Sequence, residues 1–513
     1  MSSVGADSRW VEGKVFVVAY AALLLTHIYL LKLPYFWDEA GYYIPAARDL
    51  LITGSLIPTS TLSNAHPPLV LAALAMAWKM FGFTPLVTRL TMLAWAAFTL
   101  TGVFRLTRSV QNASVAIAAA GCVAAYPVFF SQSSLAHVDL AAAGLTFWGL
   151  ADYFADNYWQ AAIWFSAAGL AKETAVITVA ALICWQAIGI LNGREKLNRL
   201  APLLASFLPL FGWYCFHYVK TGFMFGNPEF FRYNVQSTLQ PLRILLAFPV
   251  RLWQAFGYLH LWLLTVITAA AMWLPPIGGA NGERPRIALS TQLAFAWIIL
   301  SYAIALSFVG GAVLARYMLA AEPLVIIVCV STIWRRVPYW KAVIAIVIAA
   351  FFAGWFLNPP YGFSPEDNLA YRDYVELHQS AAGFLQTRYS NARVLTAWPA
   401  SDELTRPYLG YVSKPLNIVR IEDFSYEQLV SAADASNAYD VALLFSTKYD
   451  PPNSIAERWS PWKKYKLRFF DYHRDLPPAV AARILSGDVV FTESRKGQWL
   501  AVIEIRRAVQ ARE

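Results

Sequence analysis

The sequence is poor in charged residues: Asp, Glu, Lys and Arg together make up 14% of its 513 residues, whereas soluble domains contain about a quarter. Hydrophobic residues make up 58% of the chain. This balance excludes an ordinary soluble protein and predicts a polytopic α-helical membrane protein. The 20 Trp and 26 Tyr residues agree with aromatic belts at the two membrane interfaces.

Cysteines and nucleotide-binding motifs are also scarce. Each of the four cysteines lies in an apolar segment without a partner at metal-ligand spacing, which predicts small core residues. They are Cys122, Cys184, Cys215 and Cys329. The sequence lacks a Walker motif, His-Glu-x-x-His, Gly-x-Ser-x-Gly and a Gly-rich nucleotide loop. An enzyme that lacks a nucleotide-binding loop and works outside the cytoplasm needs a donor delivered by the membrane. A lipid phosphate meets that need.

Apolar runs near the spanning length of about 20 residues recur from Val15 to Phe356. The eleven predicted segments are 15–33, 86–107, 113–131, 140–156, 160–171, 174–191, 201–219, 256–275, 287–308, 317–333 and 341–357. The stretch 160–191 contains Lys172-Glu173, and it is interpreted either as one long helix or as two short ones. The first segment lacks a small-residue cleavage site and is predicted to be a retained helix.

The basic residues predict an orientation. The formal net charge is +9, and much of it lies in short loops, which indicates the positive-inside pattern rather than nucleic-acid binding. Five basic groups fall on one side if 160–191 crosses twice: Arg9 and Lys14; Arg105 and Arg108; Arg194, Lys196 and Arg199; Arg284 and Arg286; Arg335, Arg336 and Lys341. We therefore predict eleven membrane crossings and a cytoplasmic N-terminus. The opposite loop 220–255 weakens this assignment, because it contains Lys220, Arg232, Arg243 and Arg251.

The predicted outer face carries three loops, which are 34–85, 131–139 and 220–255. Within the first loop, Pro67–Phe81 is a candidate interfacial helix. The composition changes after Phe356, so we assign 1–357 to a membrane domain and 358–513 to a small α/β domain on the outer side. That domain is predicted to contain a helix at 368–388 and strands at 393–397, 416–421, 441–445, 489–491 and 500–505.

Three carboxylates lie at the predicted outer face. Asp38 and Glu39 directly follow the first apolar segment, and an ionisable pair at a membrane edge indicates a functional site. A solvated turn or an interfacial cap is the alternative interpretation. Asp139 begins the fourth apolar run on the same predicted face. It is a candidate catalytic or orienting carboxylate, or a helix cap that contributes about 1 kcal/mol.

Several basic and polar residues at this face are candidates for binding phosphate. His66 precedes a probable helix start, where free N–H groups attract phosphate, although a single His is more often structural. Lys172 interrupts an apolar stretch and either contacts a phosphate oxygen or pairs locally with Glu173. Arg316-Tyr317 stands at the entrance of the tenth run, where the arginine either clamps a leaving phosphate or extends towards the membrane interface.

Five short motifs occur in the order seen in GT-C glycosyltransferases. They are Trp37-Asp38-Glu39-Ala40-Gly41-Tyr42-Tyr43, His66-Pro67-Pro68-Leu69, Ala136-His137-Val138-Asp139, Gly169-Leu170-Ala171-Lys172-Glu173-Thr174 and Arg316-Tyr317-Met318-Leu319. Over about residues 10–335 the chain resembles the bacterial branch that includes lipid A aminoarabinose transferases and protein O-mannosyltransferase-like enzymes. The resemblance implies the GT-C fold, a polyprenyl-phosphate-sugar donor, and inverting transfer to a lipid, glycan or protein hydroxyl at the periplasmic face.

The resemblance also implies roles for individual residues. Asp38 matches the first-loop acid that deprotonates the acceptor, and Glu39 supports it. Asp139 matches the second-loop acid that positions acceptor or sugar. The residues implied near the donor phosphate are His66, Lys172, Arg316 and Tyr317. A neutralised phosphate leaves without a metal cofactor. A divalent ion between Asp38 and Asp139 is the alternative, with only two carboxylates as its signature.

The chain departs from the family pattern in ways that keep other interpretations open. Loop 220–255 matches no acceptor-specific pattern, and Glu173 stands where small residues often follow the lysine. His66 replaces a lysine of the aminoarabinose enzymes, so their substrate is not inherited. The competing classes are a transporter or lipid flippase, which predicts inverted repeats, and a non-catalytic scaffold, in which Asp38 and Asp139 tolerate Asn. A further alternative is an enzyme of the same fold that polymerises or ligates glycans.

Overall fold

The computed structural model describes residues 3–193, 196–279, 282–449, 458–470 and 475–506. The chain divides into two compact units: Met1–Leu31 with Ala46–Leu357, and Lys32–Pro45 with Asn358–Glu513. The short segment Lys32–Pro45, which the sequence places in the loop after the first apolar run, groups with the C-terminal residues. We call the first unit the helical domain and the second the C-terminal domain.

The helical domain is built from helices joined by short turns. Its helices are α1 Ser3–His27, α2 Ile44–Thr53, α3 Leu69–Phe81, α4 Pro85–Val110, α5 Ala113–Ala125, α6 Pro127–Gln132, α7 Asp139–Phe154, α8 Tyr158–Ala171, α9 Val176–Leu191, α10 Leu200–Ala205, α11 Leu208–Thr221, α12 Pro228–Asn234, α13 Pro241–Phe256, α14 Leu261–Ala271, α15 Leu289–Phe308, α16 Glu322–Arg336 and α17 Trp340–Phe356. Two antiparallel strands of two residues each, β1 Gly278–Gly279 and β2 Gly282–Glu283, lie between α14 and α15.

Six helical stretches in the described ranges are long and apolar enough to cross a membrane. They are Trp10–His27, Pro85–Val110, Glu173–Leu191, Leu197–Thr221, Pro241–Ala271 and Leu289–Phe308. Shorter apolar helices occupy Leu69–Phe81, Ala113–Ala125 and Trp340–Phe356. The helical membrane architecture is therefore confirmed, while eleven crossings and their orientation remain predictions. Arg194, one of the basic residues on which the orientation rests, lies outside the described residues, as does the side chain of Arg9.

Several predicted apolar segments are interrupted for local reasons. The stretch 160–191 forms two helices, because Lys172 has extended backbone (φ −153°) between α8 and α9. The predicted segment 113–131 is likewise split, since Pro127 has no N–H to continue α5 and begins α6 instead. The predicted segment 317–333 starts later, because a short 3₁₀ turn at Ala315–Met318 precedes α16.

Close helix packing fixes the start of α7. A Cβ atom on Gly144 would overlap the hydroxyl group of Thr99 in α4, so glycine permits the two backbones to approach. The same hydroxyl donates to the carbonyl oxygen of Leu140 at 3.1 Å, at the first turn of α7. The buried cysteines confirm the sequence interpretation at Cys122 and Cys329, but it is wrong for Cys184, which is exposed on α9.

The described part of the C-terminal domain contains a five-stranded mixed sheet with the order β4-β3-β5-β7-β6. Its strands are β3 Arg393–Ala397, β4 Asn417–Ile421, β5 Val441–Phe445, β6 Gly487–Arg495 and β7 Gln498–Ile505. Its helices are α18 Ala370–Arg388, α19 Ala400–Thr405, α20 Tyr426–Asp434, α21 Ser460–Phe469 and α22 Pro478–Ile484. Strand β3 pairs in parallel with β4 and β5, and β7 pairs antiparallel with β5 and β6. The predicted helix and strands are confirmed, with β6 longer than the predicted 489–491.

Candidate functional site

Three of the predicted site residues meet inside the helical domain. Asp139 is the first residue of α7, Lys172 follows the end of α8, and Arg316 lies in the turn before α16. The Lys172 ammonium bonds Asp139 Oδ1, and Arg316 Nε lies 3.4 Å from Asp139 Oδ2. All three side chains are at most 5% exposed. Two cations therefore share one carboxylate in a buried setting.

A neutral histidine holds Arg316 from the other side. Arg316 Nη1 lies 3.0 Å from Nδ1 and 3.3 Å from Nε2 of His137, and Gln132 Oε1 lies 2.7 Å from Nδ1. With Nδ1 donating to the Gln132 oxygen, Nε2 is the ring atom that accepts from Arg316. Burial foremost, and then the charges of Arg316 and Lys172, lower the pKa of His137 well below its ordinary value. The ring is therefore uncharged and serves as an acceptor for the guanidinium group.

Tyr317 is surrounded by cations. Its ring centroid lies 4.0 Å from Lys172 Nζ, 5.5 Å from the Arg316 guanidinium carbon and 5.7 Å from that of Arg251. Each distance is within the range of a cation–π contact. Arg251 also donates from Nη1 to the Leu314 carbonyl oxygen at 2.8 Å and to Gln254 Oε1 at 2.9 Å.

The position of Arg251 beside the site was not predicted from the sequence, where Arg251 was counted only as a charged residue of the loop 220–255. Arg243 and Arg251 lie on one buried face of α13, with Ala247 between them. Arg243 Nη2 donates to the Gly310 carbonyl oxygen at 2.6 Å. The spacing of eight residues, near two helical turns, is a signal that these arginines share a face rather than a loop.

His66 pairs with Glu173 and lines a cavity. The distance from His66 Nδ1 to Glu173 Oε2 is 2.9 Å. The cavity has a volume of about 340 Å³ and a polar end formed by His66, Lys172, Glu173 and Tyr317. Its remaining wall is largely apolar, with Tyr214, Phe225, Phe230, Phe231, Val235, Leu306 and Val309, and it also includes the polar side chains of Asn64, Thr174 and Asn234. The cavity therefore suits a ligand with one charged end and one apolar end.

The charged side chains around this cavity have an excess of positive charge. Lys172 and Glu173 line the cavity, while Arg316, Arg251 and Asp139 contact Lys172 or the Tyr317 ring. These five side chains comprise three cations and two anions. A buried positive excess favours binding of an anion, and phosphate is the anion that arginine forks and a lysine point charge commonly hold.

Asp38 and Glu39 belong to the C-terminal domain. Asp38 is partly exposed, whereas Glu39 is fully buried. The Glu39 carboxylate accepts a hydrogen bond from the backbone N–H of Phe36 at 2.8 Å. This bond closes the turn that carries Asp38, so the geometry of Glu39 suits a supporting role.

The described ranges contain no group of three or more His, Cys, Asp and Glu side chains that could hold a metal ion. No protein-family model and no curated protein sequence matches the chain.

Solved structures share the fold over most of the chain. ArnT from Cupriavidus metallidurans bound to undecaprenyl phosphate superposes with a TM-score of 0.54 at 14% identity, covering 96% of this chain and 98% of its own. ArnT in the apo state gives a TM-score of 0.52 at 13% identity, covering 97% and 98%. The Archaeoglobus fulgidus oligosaccharyltransferase tethered to an acceptor peptide gives 0.50 at 12% identity, covering 85% and 69%. The chain therefore shares its fold with these proteins, as its motifs predicted, and its long apolar helices make it an integral membrane protein.

Proposed function

We propose that this protein is an inverting glycosyltransferase that moves a sugar from a polyprenyl-phosphate donor to an acceptor hydroxyl at the outer face of a bacterial inner membrane. The observation that carries the proposal is the buried group of Lys172, Arg316 and Arg251 around Tyr317, beside a cavity that is charged at one end and apolar elsewhere. A phosphate with an attached isoprenoid chain matches both ends of that cavity. The ArnT structure, which holds undecaprenyl phosphate, supports this class of donor.

The reaction needs one base and one stabilised leaving group. In the proposed step, Asp38 takes the proton of the acceptor hydroxyl while its oxygen attacks the anomeric carbon. The bond between that carbon and the phosphate oxygen breaks, and polyprenyl phosphate leaves with both electrons. Lys172 and Arg316 balance the charge that develops on the phosphate. Attack opposite the leaving group inverts the anomeric configuration.

Asp139, His66, Tyr317 and Glu39 have supporting roles in this proposal. Asp139 holds Lys172 and Arg316 in place and positions acceptor or sugar. His66 lies at the cavity beside Glu173, and Tyr317 places its ring against the cations. Glu39 closes the turn of Asp38. The acceptor is a lipid, a glycan or a protein, and the labelled product of the transfer experiment identifies which.

The test uses membranes or proteoliposomes containing the full-length protein and a panel of radiolabelled polyprenyl-phosphate sugars. Wild type is expected to transfer label from at least one donor, whereas Asp38→Asn and Lys172→Met lose transfer by about 100-fold or more. Lys220→Met is the matched control, because Lys220 is exposed and outside the cavity. Equal transfer by Asp38→Asn and wild type would show that Asp38 is not the catalytic base.

The transporter or flippase interpretation makes a different prediction in the same vesicles. It expects movement of a labelled polyprenyl phosphate between leaflets without transfer of sugar. Absence of transfer with every donor, together with such movement, would overturn the transferase proposal.

A further inference from the structure

Within the C-terminal domain, the short segment that carries Asp38 is hydrogen-bonded to residues from the C-terminal part of the chain. The backbone N–H of Tyr35 donates to the Leu409 carbonyl oxygen at 3.3 Å. The Tyr411 hydroxyl donates to the Tyr35 carbonyl oxygen at 3.1 Å. Tyr35 and Phe36 are at most 2% exposed. The chain just before Asp38 is thus bound to Leu409 and Tyr411 of the same domain through its backbone, and its side chains are buried.

Trp37, the residue directly before Asp38, adopts a strained backbone that its neighbours hold in place. Its φ of +42° lies in the left-handed region, which costs a bulky residue of order 1–3 kcal/mol. Its indole ring stands nearly edge-on to Tyr374, with centroids 5.5 Å apart, and to Trp398, at 5.4 Å. Such a conformation persists only where surrounding groups fix it, and these two aromatic rings do so.

Trp398 also leaves room for nothing larger than glycine at position 41. A Cβ atom there would lie 2.6 Å from Cζ2, 2.7 Å from Nε1 and 2.8 Å from Cε2 of Trp398. The Gly41 N–H donates to the Trp37 carbonyl oxygen at 2.9 Å. The indole of Trp398 therefore contacts the turn both before and after Asp38.

A buried polar pair lies beneath this aromatic contact. Tyr374 stacks on His378 with centroids 3.9 Å apart, and His378 Nδ1 lies 2.5 Å from Glu403 Oε2. The His378 and Glu403 side chains are at most 3% exposed. Buried ionisable pairs add little net stability compared with apolar residues, and in some proteins they specify one geometry. Here the pair packs against Tyr374 through the His378 ring, and Tyr374 in turn contacts Trp37.

We propose that Trp398, Gly41 and Tyr374 are positioning residues that set the place of the Asp38 carboxylate, and that this is a function of the C-terminal domain. The inference rests on the proposed function, in which Asp38 accepts the proton. Since misplacing a catalytic group by about 1 Å can cost about 100-fold in rate, loss of this restraint lowers kcat while the donor cavity, built from other residues, keeps its KM.

The test combines hydrogen–deuterium exchange with transfer kinetics on the full-length protein. Gly41→Ala is expected to accelerate exchange in peptides covering residues 34–45 and to lower kcat by about 10- to 100-fold, with the donor KM within about twofold. Trp398→Phe lacks the Nε1 and Cζ2 atoms that the new methyl group would meet. Adding Trp398→Phe to Gly41→Ala is therefore expected to restore slow exchange and most of kcat, which a general loss of folding would not allow.

Gly383→Ala is the matched control, because Gly383 lies in α18 of the same domain with no atom within 4 Å of the added methyl group. It is expected to behave as wild type in both measurements. Wild-type exchange in Gly41→Ala overturns the proposal, as does a wild-type kcat in Gly41→Ala when Asp38→Asn is inactive. Failure of the proposed function has a separate signature, since it appears as transfer by Asp38→Asn or none by wild type, whatever the exchange result.

Discussion

The imidazole of His66 lies 2.9 Å from the carboxylate of Glu173, at the polar end of the cavity. The Glu173 carboxylate lies where the proposed donor phosphate binds, and its bond to His66 engages one of its oxygens. We expect His66→Ala to raise the donor KM about tenfold, because the carboxylate then loses that hydrogen-bond partner and is left to repel the phosphate; tenfold corresponds to about 1.4 kcal/mol.

The origin of this effect is separable from direct phosphate binding by His66. In a Glu173→Gln background the carboxylate charge is gone, so His66→Ala is expected to change KM by less than about twofold. The four kinetic constants of this cycle provide the measurement. An equal loss in both backgrounds would show instead that His66 contacts the phosphate itself.

Asp139→Asn is expected to destabilise the helical domain. It leaves Lys172 and Arg316 buried without the carboxylate that they share, and breaking such a pair typically costs about 3–5 kcal/mol. The apparent melting temperature of the solubilised protein measures this loss. Added undecaprenyl phosphate is expected to recover more stability in Asp139→Asn than in wild type, since its phosphate replaces the missing anion. Equal melting temperatures would contradict the central place of Asp139.

Arg251→Met is expected to raise the donor KM about tenfold with a smaller change in kcat. Both arginines donate to backbone carbonyl oxygens, Arg251 to that of Leu314 and Arg243 to that of Gly310, but the Arg251 guanidinium carbon also lies 5.7 Å from the Tyr317 ring centroid. Arg243→Met is therefore the matched comparison and is expected to affect stability more than KM. If both variants raise KM equally, the arginines share a purely structural role.

The free energy of unfolding is expected to depend on pH through the carboxylate of Asp49. Its Oδ2 atom accepts from the N–H groups of Thr59 and Ser60, each at 2.7 Å. Burial alone would raise the pKa of Asp49, but the hydrogen bonds from Ser60 and Thr59 lower it overall below its ordinary value. Because the pKa is lower in the folded state, the stabilisation is full above the unfolded-state pKa of about 4 and is lost as pH falls through the folded-state pKa.

Melting temperatures of wild type and Asp49→Asn across this range provide the check. The difference between them is expected to be largest near neutral pH and to shrink below about pH 4. A difference that stays constant down to acid pH would mean that the carboxylate charge is not responsible.

Much of the fold was predictable, because apolar run length and strand alternation are local signals. The interruption at Lys172 was visible in the sequence, which left one long helix and two short ones open, and the structure has the two helices. The meeting of Asp139, Lys172 and Arg316 depends on contacts between residues far apart in the chain, so only their motif order indicated it. Arg251 was hidden by its assignment to a loop, which concealed the helical spacing shared with Arg243. The attachment of residues 32–45 to the C-terminal domain had no local signal.

The contact between Gly144 of α7 and Thr99 of α4 has a consequence for how far the site can vary. A Cβ atom on Gly144 would overlap the hydroxyl oxygen of Thr99 and lie 3.2 Å from its Cα atom, so a larger residue at position 144 must move α7 away from α4. Asp139 is the first residue of α7, so the same movement would shift the carboxylate that Lys172 and Arg316 share. A residue that touches neither donor nor acceptor thereby restricts where the anion of the site can lie.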